Sequence, residues 1–335
     1  MADSSLHEEE EDLFDTLPDA ILLLIFSKLS HAKSLSQCLP LCKRFASLIH
    51  QTDTVFLPTL PQKRISKSAK SIFKSLLRKF VAQKSHKKTG NISYYSPVHL
   101  LKNFNFIKSL HIQVPCIDSK IGLKNRKSNA DSLLKWKAEF GSEFKNCVVL
   151  VANKFNQLCN HGEENFGGNQ NLSDEELKMR IIQTISCLIA LSARHCLLKQ
   201  ILDEHKSIEN VRISDVEKQG ILSLGKDEIA EMRNSMKESS SMEVTSRVPD
   251  LKMKLWYVPV VKLPKSGYVM EGATLVLIRP VVGKGDDGGD GDGDCGGGEM
   301  LGFDGEEDEK MGLDEAVKEI VKMEKNYYVM TVNSF

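Results

Sequence analysis

"DLFDTLPDAILLLIFSKLSHAKSLSQCLPLCKRFASLIH", residues 12–50, is strongly apolar and holds little that could do covalent chemistry. Pro18 suits the first turn of a helix, where its missing N–H is no loss, and Thr16 or Asp15 stands close enough before it to cap. Ile21, Leu22, Ile25, Phe26 and Leu29 follow at the spacing of one helix face, with Leu23 and Leu24 widening it. After a break from Ser30 to Ser34 the pattern predicts a short helix over Leu35 to Leu39. A third helix, with Pro40 in its first turn, bears Leu41, Cys42, Phe45, Leu48 and Ile49. Three helices in about 40 residues enclose too little apolar area to stand alone. The surplus needs cover, either from the rest of the chain or from another protein.

The chain is long enough to supply such cover. Its 335 residues allow one or two domains, and 41% hydrophobic with 27% charged residues is the balance of an ordinary soluble globular protein. No stretch approaches the roughly 20 uncharged apolar residues of a membrane helix, and "MADSSLHEEEED" is the opposite of a signal peptide, so the nucleus or cytoplasm is expected. The eight cysteines form no CxxC pair or zinc-ligand doublet. Cys159 with His161 and His195 with Cys196 are the close Cys/His pairs, and neighbours on one element point in different directions. There is no G-x-S-x-G elbow, P-loop, dinucleotide fingerprint or H-E-x-x-H. The chain therefore reads as a non-enzyme with no catalytic residue, no cofactor, no metal and no nucleic-acid partner.

Its net charge of zero hides a segregation along the chain. Residues 1–12, with six acids and no base, read as a disordered acidic tail. Residues 62–90 carry ten Lys or Arg and no acid. Ile65, Ala69, Ile72, Phe73, Leu76, Leu77, Phe80 and Val81 recur there at helical spacing, opposite Lys67, Lys70, Lys74 and Arg78. That is a basic amphipathic helix, a linker of a kind that also binds anionic membranes or calmodulin-like partners. The insert at 283–310, with nine glycines between Gly283 and Gly298, is predicted to be disordered. Its aspartates miss an EF-hand, since Cys295 stands at the required glycine and Leu301 at the bidentate glutamate.

From about Val98 the pattern is mixed. "IKSLHI" (107–112), "FKNCVV" (144–149) and "IENVRI" (208–213) share one apolar frame, half of a leucine-rich-repeat consensus. "DSLLKWKAEF" (131–140) reads as a helix leading into the second copy. A longer helix near Ser173 opens with Ser173 and Glu176 in capping-box spacing and leads toward the third. Helices leading into short strands predict a mostly parallel sheet. The unequal spacing makes residues 98–335 an irregular, leucine-rich-repeat-like α/β domain, mixed α+β and ending in antiparallel strands. A strand at Ile221 to Gly225, a helix at Asp227 to Lys237 and a hairpin of Leu255 to Leu263 with Ala273 to Arg279 follow. A helix at Leu313 to Glu324 and the strand "YYVMTV" close the chain.

The order Leu17-Pro18, Ile21-Leu22, Ile25-Phe26, Leu29, Ser34-Leu35, Cys38 and Cys42-Lys43-Arg44-Phe45 resembles the F-box, here residues 13–52, with Pro40 as a departure. "LWYVPVVKLPKSGYVMEGATLVLIRP" and "LLKWKAEFGSEFKNCVVL" resemble a group of plant F-box proteins. The resemblance implies a substrate receptor of a Skp-cullin-F-box ubiquitin ligase. Leu17, Pro18, Ile21, Leu22, Ile25, Leu29, Leu35, Cys42 and Phe45 would then meet the Skp-type adaptor or pack beneath the residues that do. The adaptor would bring the cullin and RING subunits. An unknown protein target would be held by 98–335, whose strand-end loops and "KLPKSGYVMEG" turn are the places to look. The alternative is a non-ligase scaffold held at membranes or by calmodulin through residues 63–81.

Overall fold

The computed structural model describes residues 14, 16–58, 100–116, 132–141, 143–157, 172–239, 250–281, 302–303, 305–323 and 327–332. The acidic tail, the basic helix and most of the Gly/Asp-rich insert lie outside them. The N-terminal stretch forms α1 (Asp19–Leu29), α2 (Ala32–Cys38) and α3 (Lys43–Ile49). Pro18 occupies the N-cap position rather than the first turn, and no side chain caps α1. The Pro18 carbonyl accepts from the N–H of Ile21 and of Leu22. α1 stops at Ser30, whose left-handed φ of 37° turns the chain at once into α2, so the break is shorter than the sequence predicts. Pro40 lies in the turn after α2 and not inside α3. α3 opens instead at Cys42, extended at φ −155°, whose Sγ accepts from the Phe45 N–H at 3.3 Å.

The strands, in chain order, are β1 (Thr54–Leu57), β2 (Ser109–Val114), β3 (Leu133–Phe140), β4 (Phe144–Ala152), β5 (Lys154–Gln157), β6 (Asn210–Asp215), β7 (Gly220–Leu224), β8 (Leu251–Leu263), β9 (Tyr268–Pro280) and β10 (Tyr327–Val332). All ten join one sheet in the order β1-β2-β6-β7-β3-β4-β9-β8-β10, with β5 added on β9. β1–β2, β2–β6 and β3–β7 are parallel. The other six pairings are antiparallel, which overturns the expected mostly parallel sheet. "DSLLKWKAEF" is where that expectation fails: it is β3, a strand and not a helix. Trp136, Ala138 and Phe140 alternate inward with period two, and a tight turn at Gly141 returns the chain antiparallel as β4. Two of the three repeat-like stretches are in-register parallel neighbours, with Leu110 opposite Val211 and Ile112 opposite Ile213. The third, in β4, pairs antiparallel to β3, so the three do not form a solenoid. The predicted β8–β9 hairpin is present, closed by Leu263 opposite Tyr268.

Three further helices are α4 (Asp174–Glu204), α5 (Lys226–Ser239) and α6 (Glu307–Lys322). α4 starts in the predicted capping box, Ser173 Oγ accepting from the Glu176 N–H at 3.3 Å. By length and composition α4 could cross a bilayer, contrary to the sequence reading that no stretch comes close. Two buried arginines hold it on the sheet instead. Arg180 donates to Asn153 Oδ1 at 2.8 Å and to the Gly272 carbonyl at 3.1 Å, and Arg194 donates to Asp215 Oδ2 at 2.8 Å.

The Arg194–Asp215 pair is nearly sealed, at 5% and 3% exposure. Asp215 also accepts from the N–H groups of Gln219 and Gly220, both at 2.8 Å. The guanidinium carbon sits 4.4 Å from the centre of the Trp136 ring. A Cβ on Gly220 would lie 1.9 Å from Trp136 Cε2, so the β3–β7 pairing leaves room there for glycine alone.

The sheet carries a core on each face. Leu22, Phe26, Leu35 and Ile49 of the N-terminal helices join Leu110, Ile112, Val211 and Ile213 of the sheet and Leu198 and Ile201 of α4 in one cluster. Leu313, Ala316, Val317 and Ile320 of α6 cover Val148, Leu150, Leu275 and Leu277 on the opposite face. Phe303 is buried in this second cluster, and α6 already begins at Glu307. Residues 302–303 and 305–310, inside the expected insert, thus belong to the described fold. Three acids in the first turn of α6 suit the positive end of its dipole.

Candidate functional site

α3 runs through Gln51–Asp53 directly into β1, which fixes the N-terminal helices to the sheet edge. The Phe56 N–H donates to the Ser30 carbonyl at 2.7 Å, and His31 bridges to Phe56. Leu22 and Leu35, both expected among the module residues, lie in the shared core at 1% and 0% exposure. They are packing residues. Leu17, Ile25 and Phe45 are half-buried, while Pro18, Ile21, Leu29 and Cys42 are exposed.

A helix advances about 100° per residue, which sets Leu24, Ile21, Ile25 and Leu29 within about 140° of arc on the outer side of α1. Leu22 and Phe26 fall just beyond that arc and turn inward. Leu24, read in the sequence only as widening the inner face, is 56% exposed and belongs to the outer one. Leu41, at 67%, and Phe14 add to the exposed apolar surface. Projecting the sequence onto a helix would have found Leu24, whereas Leu41 needed the knowledge that Pro40 ends α2 in a turn.

Arg44 was also missed as a side chain with its own task. Its Nε donates to Asp19 Oδ1 at 2.8 Å, and its Nη atoms donate to the carbonyls of Phe14 and Leu17. It thus ties α3 to the segment that presents Leu17 and Pro18. Phe45 packs edge-on against Phe26 at 5.3 Å and Phe14 at 6.0 Å, which holds the two helices together from the apolar side.

What this surface can do chemically is bury itself. Several reactive side chains elsewhere are buried or half-buried. Burial, with Asp215 adding to it, pushes the Cys116 thiol up to about 12, and burial does the same to Cys187. His195 is stacked on Phe140 at 4.5 Å, and burial, with Lys199 second, lowers its pKa to about 4. Its neighbour Cys196 is exposed, so the two do not form a nucleophile and base; Cys159 and His161 lie outside the described residues. Among the described residues no group of three or more His, Cys, Asp or Glu could hold a metal ion.

The "KLPKSGYVMEG" turn is clamped onto α6. The N–H groups of Lys265 and Ser266 donate to Glu315 at 3.0 and 2.8 Å, and Ser266 Oγ donates at 2.7 Å. Burial opposes the charge on Glu315, but these donors outweigh it and hold the carboxyl below its usual range.

Comparison with known proteins points to the same N-terminal segment. Residues 14–55 match the F-box-like family. The chain is 34% identical to the F-box protein At4g18380 of Arabidopsis thaliana, over 84% of this chain and 87% of that protein. It is 32% identical to the F-box protein At5g46170 of the same plant, over 84% and 88%. With the Arabidopsis F-box protein AUF1 it shares 29% identity over 97% of this chain and the whole of that protein. No solved structure matches.

Proposed function

The chain belongs to the plant F-box proteins, and from that premise we propose that it is the substrate-recognition subunit of a Skp-cullin-F-box ubiquitin ligase. The observation that carries this reading is the outer arc of α1, where Ile21, Leu24 and Leu29 are exposed together and no described part of the chain covers them. A surface of that kind belongs against a partner, and the Skp-type adaptor is the partner the family brings. On this reading the thioester chemistry stays on the other subunits. The present chain supplies proximity, holding a target's lysine near the activated ubiquitin at high effective concentration.

The test is capture of the adaptor. Ile21→Glu with Leu24→Glu is expected to abolish co-purification of the adaptor and cullin while leaving the circular dichroism spectrum and melting temperature unchanged. Leu17→Ala with Pro18→Ala should act in the same direction. An adaptor that stays bound to the double glutamate variant overturns the reading. Affinity purification with and without proteasome inhibition, followed by mass spectrometry, reports adaptor, cullin and accumulating target together.

A further inference from the structure

The sheet's two outer strands are finished differently. β1 has its flank occupied by the Ser30–His31 corner. β10 pairs with β8 on one side and with no described strand on the other. Its sequence, YYVMTV, contains no charge and no proline. Tyr327, Tyr328 and Val329 are exposed at 40%, 51% and 49%. Outer strands are ordinarily blunted by lysine, proline or a bulge, because their unpaired N–H and C=O groups accept any extended chain. β10 carries none of the side chains that would turn one away.

The register shows what kind of chain would suit it. Val329 lies opposite Lys254 and Thr331 opposite Lys252, which in turn lies opposite Arg279 of β9. Side chains alternate across a sheet, so Tyr327, Val329 and Thr331 share a face with Trp256, Lys254, Lys252 and Arg279. Lys254 Nζ stands 5.3 Å from the centre of the Tyr327 ring. On the other face Met330 is half-buried against the core. A strand laid on β10 would lie two strand spacings, about 10 Å, from Lys252 and Lys254 and three from Arg279 on one face, a span the long lysine side chains can reach across, with Met330 as an apolar border on the other.

We propose that β10 is a strand-addition site for an extended segment of a partner protein that alternates acidic and apolar residues. The backbone ladder would supply affinity, and the basic row would choose the partner by charge. A second copy of this chain suits the edge less well, because β10 pairing with β10 would bring two basic rows onto one sheet across only two uncharged strands. The identification of that segment with the ligase target rests on the function proposed above; the site itself does not. It lies eight strand spacings from β1, about 38 Å along the sheet.

The test uses the full chain purified with its adaptor and three octapeptide probes: alternating Val–Glu, alternating Val–Lys, and Val–Glu with alternate backbone amides N-methylated. Fluorescence anisotropy is expected to show binding of the Val–Glu peptide that weakens with salt, about tenfold weaker binding of Val–Lys, and none of the N-methylated peptide. Lys252→Glu with Arg279→Glu should reverse the preference, and Val329→Glu, which sets a like charge beside the peptide's carboxylates, should lose the Val–Glu peptide while keeping the adaptor. Equal binding of the Glu and Lys peptides, an unreversed preference in the charge-swapped variant, or a concentration-dependent dimer that Val329→Glu dissolves overturns the proposal. Lost adaptor capture with peptide binding intact would remove the ligase reading and leave this site standing.

Discussion

At the β1 end, the exposed Ile21, Leu24 and Leu29 stand on a helix whose backbone is satisfied within itself; at the β10 end, Tyr327, Tyr328 and Val329 stand on a strand with one flank unpaired among the described residues. The first surface offers a partner side chains only, so shape must do the selecting. The second offers main-chain hydrogen bonds as well, so a strand added there, as proposed above, would be chosen chiefly by charge. On those two proposals one end of the molecule would meet a single fixed partner and the other partners that vary.

The strongest way to break that contrast is to unfasten the middle of the sheet. Asp215→Ala leaves Arg194 buried without its carboxylate and Gln219 and Gly220 without their acceptor. It should cost about 3–5 kcal/mol in chemical denaturation, with both ends lost in one transition. Next, Leu35→Ala should cost about 2–5 kcal/mol, because Leu35 fills the core shared with the sheet. Leu41→Ala, a few residues away and exposed, should cost no more than about 0.5 kcal/mol and register only in adaptor affinity. If the two behave alike in denaturation, the division into core and docking residues is wrong.

Arg44→Ala should cost about 1 kcal/mol, since its pair with Asp19 is partly exposed. Its clearer signature is faster hydrogen exchange at the start of α1, with β10 unaffected. A further handle is acid sensitivity from His195. Its folded pKa, about 4, lies below its ordinary 6.5, so the unfolded chain binds the extra proton. Stability should fall as pH drops from about 6.5 toward 4. Glu315, with its pKa lowered, also loses its contribution in acid as pH falls through its folded value, so the two slopes add. Replacing His195 with Gln isolates its share: the denaturation midpoint should lose part of its dependence on pH in that window.

Much of this was legible in the residues. The three N-terminal helices, the Ser173–Glu176 capping box, the β8–β9 hairpin and the last strand announce themselves through periodicity and turn chemistry. β3 did not, because Leu133-Leu134 ahead of Trp136 imitates a helical face while the alternation that marks a strand begins only afterwards. The parallel sheet was inferred from that misread helix together with the one opening at Ser173, and only the second is a helix. The candidate site was legible as a set but not as a surface. Leu22 and Leu24 are equally apolar; a helical projection sets them on opposite sides of α1, and the sheet decides which side faces in. Arg44 reads as one more charge until Asp19 and the carbonyls of Phe14 and Leu17 are seen converging on it.

The strand order has a consequence for how the chain is made. β1 is flanked by β2, and β2 by β6, so the strand that follows the N-terminal helices gains its first sheet partner only after residue 109 has been synthesised. That partner is flanked in turn only after residue 210. During translation the first-made segment waits, its core half-closed, for chain that the ribosome delivers much later. Contacts this distant in sequence form slowly and leave apolar surface open meanwhile. The adaptor, offered to the nascent chain, would find its docking face before the sheet beneath it exists.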